Sequence, residues 1–252
     1  MNFKKLTFTL LISLLLVKAD AQSEKIFNKL NSLYTLDKYE ECIKKAMDYM
    51  KDTKNAKDAY PYLYASMSYF AIAQNPEQYD AKKYKDPMRK AVNYSGKFLK
   101  RDKNGDLKSE SNDFMDQLHK AALRECAYML KNADTRGLQN LAREMVNDYP
   151  KDYPTQITGG TYLLYSSAKS EGDKAVGNAL DSLKKKPAIT DTLLQKDYVD
   201  AFLLYTDYLV ESKDTKKAKT VIKFANDFCP GNDEIKSVFD KLNNPEPPKT
   251  AH

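Results

Sequence analysis

Cysteine and histidine side chains are the first candidates for catalysis or metal binding in this sequence, and few are present. The five positions are Cys42, Cys126, Cys229, His119 and His252. They show none of the spacings of a zinc site, and no nucleophile–base–acid set can be assembled around a histidine. His119 is interpreted as a surface residue of a helix. We therefore expect no metal, no cofactor and no enzymatic activity.

The three cysteines are odd in number, so at least one thiol has no partner within the chain. Cys42 and Cys126 fall on the packing sides of their amphipathic segments, and free cysteine is among the residue types most often buried. We interpret the three as small buried residues. A disulfide and a catalytic thiol are the alternatives.

Two short motifs resemble binding loops for calcium or phosphate. Residues 102–106 read Asp-Lys-Asn-Gly-Asp, but Leu107 and Asp113 stand where a calcium loop places glycine and glutamate. The Asn-Gly step is better explained as a turn at the end of a helix. Gly159 and Gly160 follow no strand and precede no Lys-Ser/Thr pair, so a phosphate loop is not expected. We predict instead that they let neighbouring helices touch.

Composition and periodicity predict that helices position all of these residues. The chain has only 8 glycines and 10 prolines in 252 residues. Amphipathic stretches of roughly 12 to 18 residues dominate, and β-branched residues never alternate as they do in strands. The expected fold class is all-α.

One spacing recurs along the chain: small or apolar residues at offsets 0, +4 and +7, then proline at +12. The copies are Leu138, Ala142, Met145 and Pro150; Ala175, Ala179, Ser182 and Pro187; Ala218, Ile222, Ala225 and Pro230. These offsets place small residues on one helix face, where a partner helix can approach closely. Proline cannot continue the helix and so separates one copy from the next. A recurring unit of this kind predicts a helical repeat array.

Two weaker copies precede these three. Their matching residues are Ile26, Leu30, Leu33, Tyr39, Cys42, Ala46 and Tyr49 in the first, and Tyr62, Ala65, Ser66, Tyr69, Ala91, Ser95 and Phe98 in the second. Together the copies resemble the tetratricopeptide repeat from residue 24 to 240, although the chain has no tryptophan. The resemblance implies an α-solenoid of antiparallel helix pairs, a tetratricopeptide-like superhelix. Residues 22–242 should form about five pairs plus a capping helix.

The first 21 residues have the pattern of a secretory signal peptide. Lys4 and Lys5 precede an apolar run from Leu6 to Val17, and residues 19–21 read Ala-Asp-Ala, a small-x-small cleavage site. The run is shorter than the roughly 20 residues that span a bilayer, and no direct membrane span is expected. Cleavage before Gln22 predicts export, and the predicted location is the periplasm.

Charge and the C-terminal composition add two expectations. Loss of three lysines and one aspartate with the signal lowers the net charge from +6 to +4. The basic residues are scattered among acids rather than concentrated in a stripe, so nucleic acid is not an expected partner. Residues 243–252 are rich in proline, which predicts a disordered tail after a capping helix whose N-cap is Asn232 or Asp233.

In the tetratricopeptide family one face of each first helix lines a groove that binds proteins or peptides. Carried over by register, the resemblance implies that the groove residues here are Tyr34, Tyr60, Leu63, Met67, Phe70, Leu123, Leu164, Leu203 and Asp207. Core packing or contact between repeats is the alternative for each of them. Aromatic side chains suit such a groove because they offer contact area at a small entropic cost.

An inserted segment interrupts the second copy between Tyr69 and Ala91. Pro76 and Pro87 bracket it, and it contributes Tyr79 and Tyr84, which have no core to fill if the segment lies outside the array. Insertions in repeat proteins often map to the binding face. We expect the segment to join the partner surface; the alternative is a packed extension of the preceding helix.

These observations predict a non-catalytic periplasmic scaffold or adaptor that binds a protein or peptide partner. The first alternative is a subunit of an outer-membrane or envelope complex for secretion or motility, such as type IX secretion, which rests on analogy of fold and compartment. The further alternative is a ligand-binding protein or an enzyme with an unrecognised site.

Overall fold

The computed structural model describes residues 22–105, 107 and 111–244. The predicted signal peptide at residues 1–21 and residues 245–252 of the predicted tail lie outside this part of the chain. Within it there is no strand, which confirms the all-α prediction. None of the helices described is both long and apolar enough to cross a membrane.

The helices follow one another with short connections. Their bounds are residues 22–35 (α1), Tyr39–Lys51 (α2), Tyr60–Gln74 (α3), Pro87–Leu99 (α4), Asn112–Lys131 (α5), Thr135–Asp148 (α6), Tyr153–Tyr165 (α7), Lys169–Leu183 (α8), Thr192–Glu211 (α9), Thr215–Phe228 (α10) and Asp233–Asn243 (α11). The longer α3–α4 connection contains a single 3₁₀ turn, Pro76–Gln78. The described residues form two compact units, which divide between Leu123 and Arg124 inside α5; we call them the N-terminal unit and the C-terminal unit.

The same turn joins three of the helix pairs. Asp37, Ala133 and Lys213 each have a positive φ, of 56°, 56° and 64°. In each turn the residue that follows donates its backbone N–H to a carbonyl five residues earlier, at 2.8–2.9 Å, as between Lys38 and Leu33. This is the Schellman closure of a helix C-terminus, here made without glycine. Its recurrence after α1, α5 and α9 shows that the repeat extends to backbone geometry.

In the N-terminal unit, α3 packs against both α2 and α4. Apolar residues on one face of α1, at positions 26, 30 and 33, meet the small residues of α2 and the aromatic side of α3 in a single cluster. Ser66 donates its hydroxyl to the Ala91 carbonyl at 2.7 Å and so ties α3 to α4. The small-residue positions of the weaker copies are therefore buried, as the pattern predicts.

In the C-terminal unit, α7 packs against α6, α8 and α9, and α10 packs against α9 and α11. The core face of α9 consists of Phe202, Tyr205, Thr206 and Leu209, all buried, as the sequence predicts. The offset residues of α6 and α10 are buried as well. In α8 the pattern is wrong at its third position: Ser182 is partly exposed and Leu183 is buried instead, because the apolar side chain one residue later reaches the same core.

Buried polar groups fix the ends of the helices in the C-terminal unit. Gln195, 2% exposed, donates its amide to the carbonyls of Ile189 and Pro230 and so joins the start of α9 to the end of α10. Asn232 caps α11 by accepting the Ile235 N–H at 3.0 Å, which confirms the predicted N-cap.

Candidate functional site

The predicted groove residues of the N-terminal unit lie among aromatic rings that join α1 to α3. Tyr34 and Tyr60 are half-buried; the Tyr60 ring is 5.0 Å from Phe27, and the Tyr34 ring is 6.0 Å from Tyr64. Met67 is half-buried at the edge of the same cluster. These side chains contribute to packing and leave part of their surface open.

The remaining groove predictions in this unit divide between core and edge. Leu63 is 8% exposed and belongs to the cluster around Phe98. Phe70 is half-buried, with its ring 5.9 Å from Phe114 of α5. Leu123, the last residue of the unit, is half-buried. Leu63 therefore has little surface for a partner, whereas Phe70 and Leu123 keep some.

The inserted segment, residues 75–86, does not continue α3 as a helix, and part of it is packed. It folds back through the 3₁₀ turn, and its Tyr84 is 7% exposed, 6.3 Å from Tyr69 and 6.2 Å from Tyr79 between ring centroids. The tyrosines would lack a core only if the segment lay outside the array, and the ring of Tyr69 receives Tyr84 instead. Tyr79 is half-buried, and Lys83 reaches Glu40 of α2 at 2.9 Å. The segment is thus packed against the N-terminal unit.

In the C-terminal unit the three predicted groove residues differ in how much of each side chain is exposed. Leu164 is 3% exposed and lies in the core cluster, against the backbone of Gly172. Leu203 is half-buried beside that cluster. Asp207 is exposed. Of these residues, Asp207 and the open part of Leu203 are available to a partner.

Asp207 belongs to a row of acids along α9. Asp200, Asp207 and Glu211 recur at i, i+7 and i+11, a spacing that places them on one helix face, opposite the buried face formed by Phe202 and Leu209. All three acids are exposed. We call these three carboxylates together with Tyr165, Leu203 and Tyr208 the acidic face.

Both aspartates of the acidic face are partly desolvated. The surrounding protein raises the pKa of Asp207, and the neighbouring charge of Glu211 raises it further. Partial burial also raises the pKa of Asp200; nearby Lys196 opposes this, while Asp197 and Glu234 of α11 add to it. Partial desolvation and neighbouring acids thus both disfavour the ionised form of these two carboxyls.

Tyrosines flank these carboxylates. The Tyr165 and Tyr208 rings meet edge to face with centroids 5.0 Å apart. Burial, followed by the Glu211 carboxylate, raises the pKa of Tyr165, so its hydroxyl stays protonated and can donate. Among the described residues, no ion pair within 4.0 Å includes Asp200, Asp207 or Glu211. The face therefore offers hydrogen-bond acceptors and aromatic surface to a cation.

Unlike the exposed carboxylates of the acidic face, the three cysteines are buried. Cys42, Cys126 and Cys229 are free and buried, which confirms their interpretation as small buried residues. Burial raises the pKa of Cys229 to about 11 and that of Cys126 further, so these thiols stay protonated at neutral pH. The Cys42 thiol donates to the Leu30 carbonyl, with sulfur and oxygen 3.6 Å apart. The described residues include no group of three or more His, Cys, Asp or Glu side chains placed to hold a metal ion.

The two loop motifs have structural roles. Gly105 has φ +78° and donates its N–H to the Asp102 carbonyl, as expected of a turn after a helix. At Gly160 an added Cβ would lie 2.7 Å from Val176, so this glycine lets α7 and α8 touch, as predicted. Both motifs are explained by the backbone alone.

Sequence reasoning found Asp207 but missed Asp200, Glu211 and Tyr165. The acid spacing on α9 was a usable signal, whereas the approach of Tyr165 depends on how α7 packs against α9. No protein-family model, curated protein or solved structure matches this chain.

Proposed function

We propose that this protein is a non-catalytic scaffold or adaptor that binds a protein partner through the first helices of a tetratricopeptide-like α-solenoid. The repeated offsets, the packing of consecutive helices and the recurrent Schellman turn support this architecture. In this interpretation α9 is the first helix of the fifth pair, and its acidic face belongs to the groove.

The observation that carries the proposal is the pair of exposed but desolvated aspartates on α9. Ionised Asp200 and Asp207 are partly dehydrated and have no cation within 4.0 Å among the described residues; Lys196 offsets the charge of Asp200 only in part. A lysine or arginine from a partner would supply the missing charge, and an apolar side chain beside it would contact Leu203 and Tyr208. The partner class is therefore a protein or peptide segment with basic and apolar residues.

The acids of this face stand out from the mixed charges of the chain. The mature chain is expected to carry +4, with basic and acidic residues interspersed, whereas three carboxylates share one face of α9. Such a face attracts a basic segment and favours one docking orientation.

The proposed location is the periplasm, supported by the charged start, apolar run and cleavage pattern of residues 1–21. Mass spectrometry of the protein from a Gram-negative host should find a mature chain that begins at Gln22 in the periplasmic fraction. A full-length chain retained in the cytoplasm would refute the location and leave the binding proposal intact.

Photo-crosslinking in cells tests the binding proposal. A benzoylphenylalanine placed at position 207 should capture a defined partner, and the same group at position 174, an exposed lysine of α8, should not. Asp200→Lys should reduce the yield at position 207, because it repels a basic segment. Equal capture at both positions, or a yield unaffected by Asp200→Lys, would rule out the acidic face as the binding surface.

A further inference from the structure

A groove lies between α10 and α11 at the end of the described chain, and none of the residues of the acidic face lines it. Its volume is about 540 Å³, with Phe224 of α10 and Phe239 of α11 in its lining and Lys219 and Lys223 beside them. Both phenylalanines are half-buried. The groove therefore combines an apolar floor with a basic edge.

Helix α11 has an apolar edge that the other described residues leave partly uncovered. Ile235 is its buried residue, whereas Val238, Phe239 and Leu242 pack against the core and stay only partly buried. By contrast, α7 and α9 each pack against helices on more than one side. A further helix laid along α10 and α11 would cover this edge, since packed helices approach to roughly 8–10 Å between axes.

The charges along the groove indicate what kind of helix fits. Lys219 and Lys223 are one turn apart on α10, and Lys216 continues the row three residues earlier. No described acid lies within ion-pair distance of these three lysines, and Asp227 is the acid in the groove lining. Like charges at this spacing repel each other, so an acidic neighbour would stabilise the row.

We propose that this groove is a second docking surface, which takes an amphipathic helix with acidic flanks from a partner protein. Apolar residues of that helix at i, i+3 or i+4, and i+7 contact Phe224 and Phe239, and its glutamates or aspartates face Lys219 and Lys223. With the acidic face of α9, the C-terminal unit then carries two surfaces of opposite charge preference.

A synthetic peptide tests the proposal on the full mature chain. The probe is a fluorescein-labelled helix-forming peptide of about 18 residues with a leucine stripe flanked by glutamates. Its matched control has glutamines in place of the glutamates, because a lysine peptide would also fit the acidic face of α9. Fluorescence anisotropy should show binding of the acidic peptide that is about tenfold tighter than that of the glutamine peptide.

Substitutions in the groove test whether the acidic peptide binds there. K219E combined with K223E should weaken the acidic peptide about tenfold and leave the glutamine peptide unchanged, and Phe239→Ser should weaken both. K44E with K51E, which removes the same charge from the surface of α2, should change little. Circular dichroism checks that each variant keeps its helix content. D200K with D207K should leave binding unchanged, which separates this groove from the acidic face.

Several outcomes would overturn the proposal. They are equal binding of the two peptides, no binding of the acidic peptide, or K219E/K223E without effect. Binding seen only after residues 245–252 are deleted would show that the chain's own end fills the groove. Self-association of the mature chain that K219E/K223E abolishes would assign the groove to a second copy instead.

Discussion

The α3–α4 pair and the α7–α8 pair carry the same repeat spacing but pack by opposite means. In the N-terminal unit Tyr69 stacks on Tyr94 with centroids 5.6 Å apart and planes at 2°. In the C-terminal unit Gly160 and Gly172 bring the backbones together: a Cβ added at Gly172 would lie 2.6 Å from the Gly160 carbonyl oxygen. Stacked rings add to the small-residue contact in one pair of helices, and glycines that lack side chains form the contact in the other.

The connections within the two helix pairs also differ, in length. Residues 166–168 suffice between α7 and α8, whereas residues 75–86 connect α3 to α4 and contribute Tyr84 to the ring cluster. Between α3 and α4, a ring from the longer connection packs against the rings already present. Between α7 and α8, where backbone contacts backbone, there is no space for an additional side chain.

Loss of a ring from the aromatic pair should have the largest effect on stability. Tyr69→Ala removes a side chain that is 4% exposed and leaves Tyr94 and Tyr84 without their shared neighbour. We expect a loss of about 3–5 kcal/mol in the free energy of unfolding, measured by urea denaturation. Tyr128→Ala, the same change at a site 64% exposed, is the control and should cost under about 0.5 kcal/mol. Equal losses would show that Tyr69 is not a packing residue.

Gain of a single methyl group should disrupt the glycine pair. Gly172→Ala places a Cβ against the Gly160 carbonyl and the Leu164 backbone, which cannot move without separating α7 from α8. We expect a loss of about 2–3 kcal/mol. Gly177→Ala in the same helix meets nothing within 4 Å and should stabilise by about 0.5–1 kcal/mol, the usual helix preference for alanine. If both variants are stabilised, the close approach of the helices is wrong.

The inserted segment gives a third, smaller effect. Tyr84→Ala should cost about 1–2 kcal/mol and expose residues 75–86 to limited proteolysis, because the buried ring fastens the segment to α3. Tyr79→Ala, at a half-buried site in the same segment, should cost less and change proteolysis little. A faster cleavage for Tyr79→Ala than for Tyr84→Ala would reverse the assignment.

The sequence predicts core positions well where helical period alone decides them. Ala218, Ile222 and Ala225 are buried because offsets of 0, +4 and +7 share one face of any helix. The predicted burial of Ser182 is wrong because offsets +7 and +8 both fall within the apolar stripe of a helix, and Leu183 at +8 has more apolar area to bury. Periodicity fixes the face of a helix and leaves the choice between adjacent positions to side-chain chemistry.

Contacts between one packed segment and the next are harder to predict. The resemblance places Leu164 in an open groove, yet Gly172 lets α8 come close enough to bury it. Nothing in residues 75–86 themselves shows that Tyr84 packs on a ring fifteen positions earlier. Both depend on the distance between packed helices, which side-chain volumes on two segments set together and no single segment encodes.

Substitution of charged surface residues should have the smallest effect on stability. The folded pKa of Asp207 is raised above its ordinary value of 3.8, so the native state binds more protons and loses stability as pH rises through that window. Asp207→Asn should therefore raise the unfolding midpoint relative to wild type at pH 7, and the gain should shrink as pH falls through the folded pKa toward 3.8 and be absent below it. Asp181→Asn is the control with the opposite sign, since Lys184 lowers the pKa of Asp181. The same pH dependence for both variants would contradict the desolvated setting of Asp207.

In the proposed function the carboxylates of α9 serve a partner rather than folding. The most direct test is photo-crosslinking from a benzoylphenylalanine at position 203 in the chain carrying Asp200→Asn and Asp207→Asn, with the unfolding midpoint of the same chain measured at pH 7. We predict a midpoint equal to or above that of wild type, because two desolvated charges are removed, and a capture reduced about tenfold. Unchanged capture, or a lower midpoint, would contradict the account.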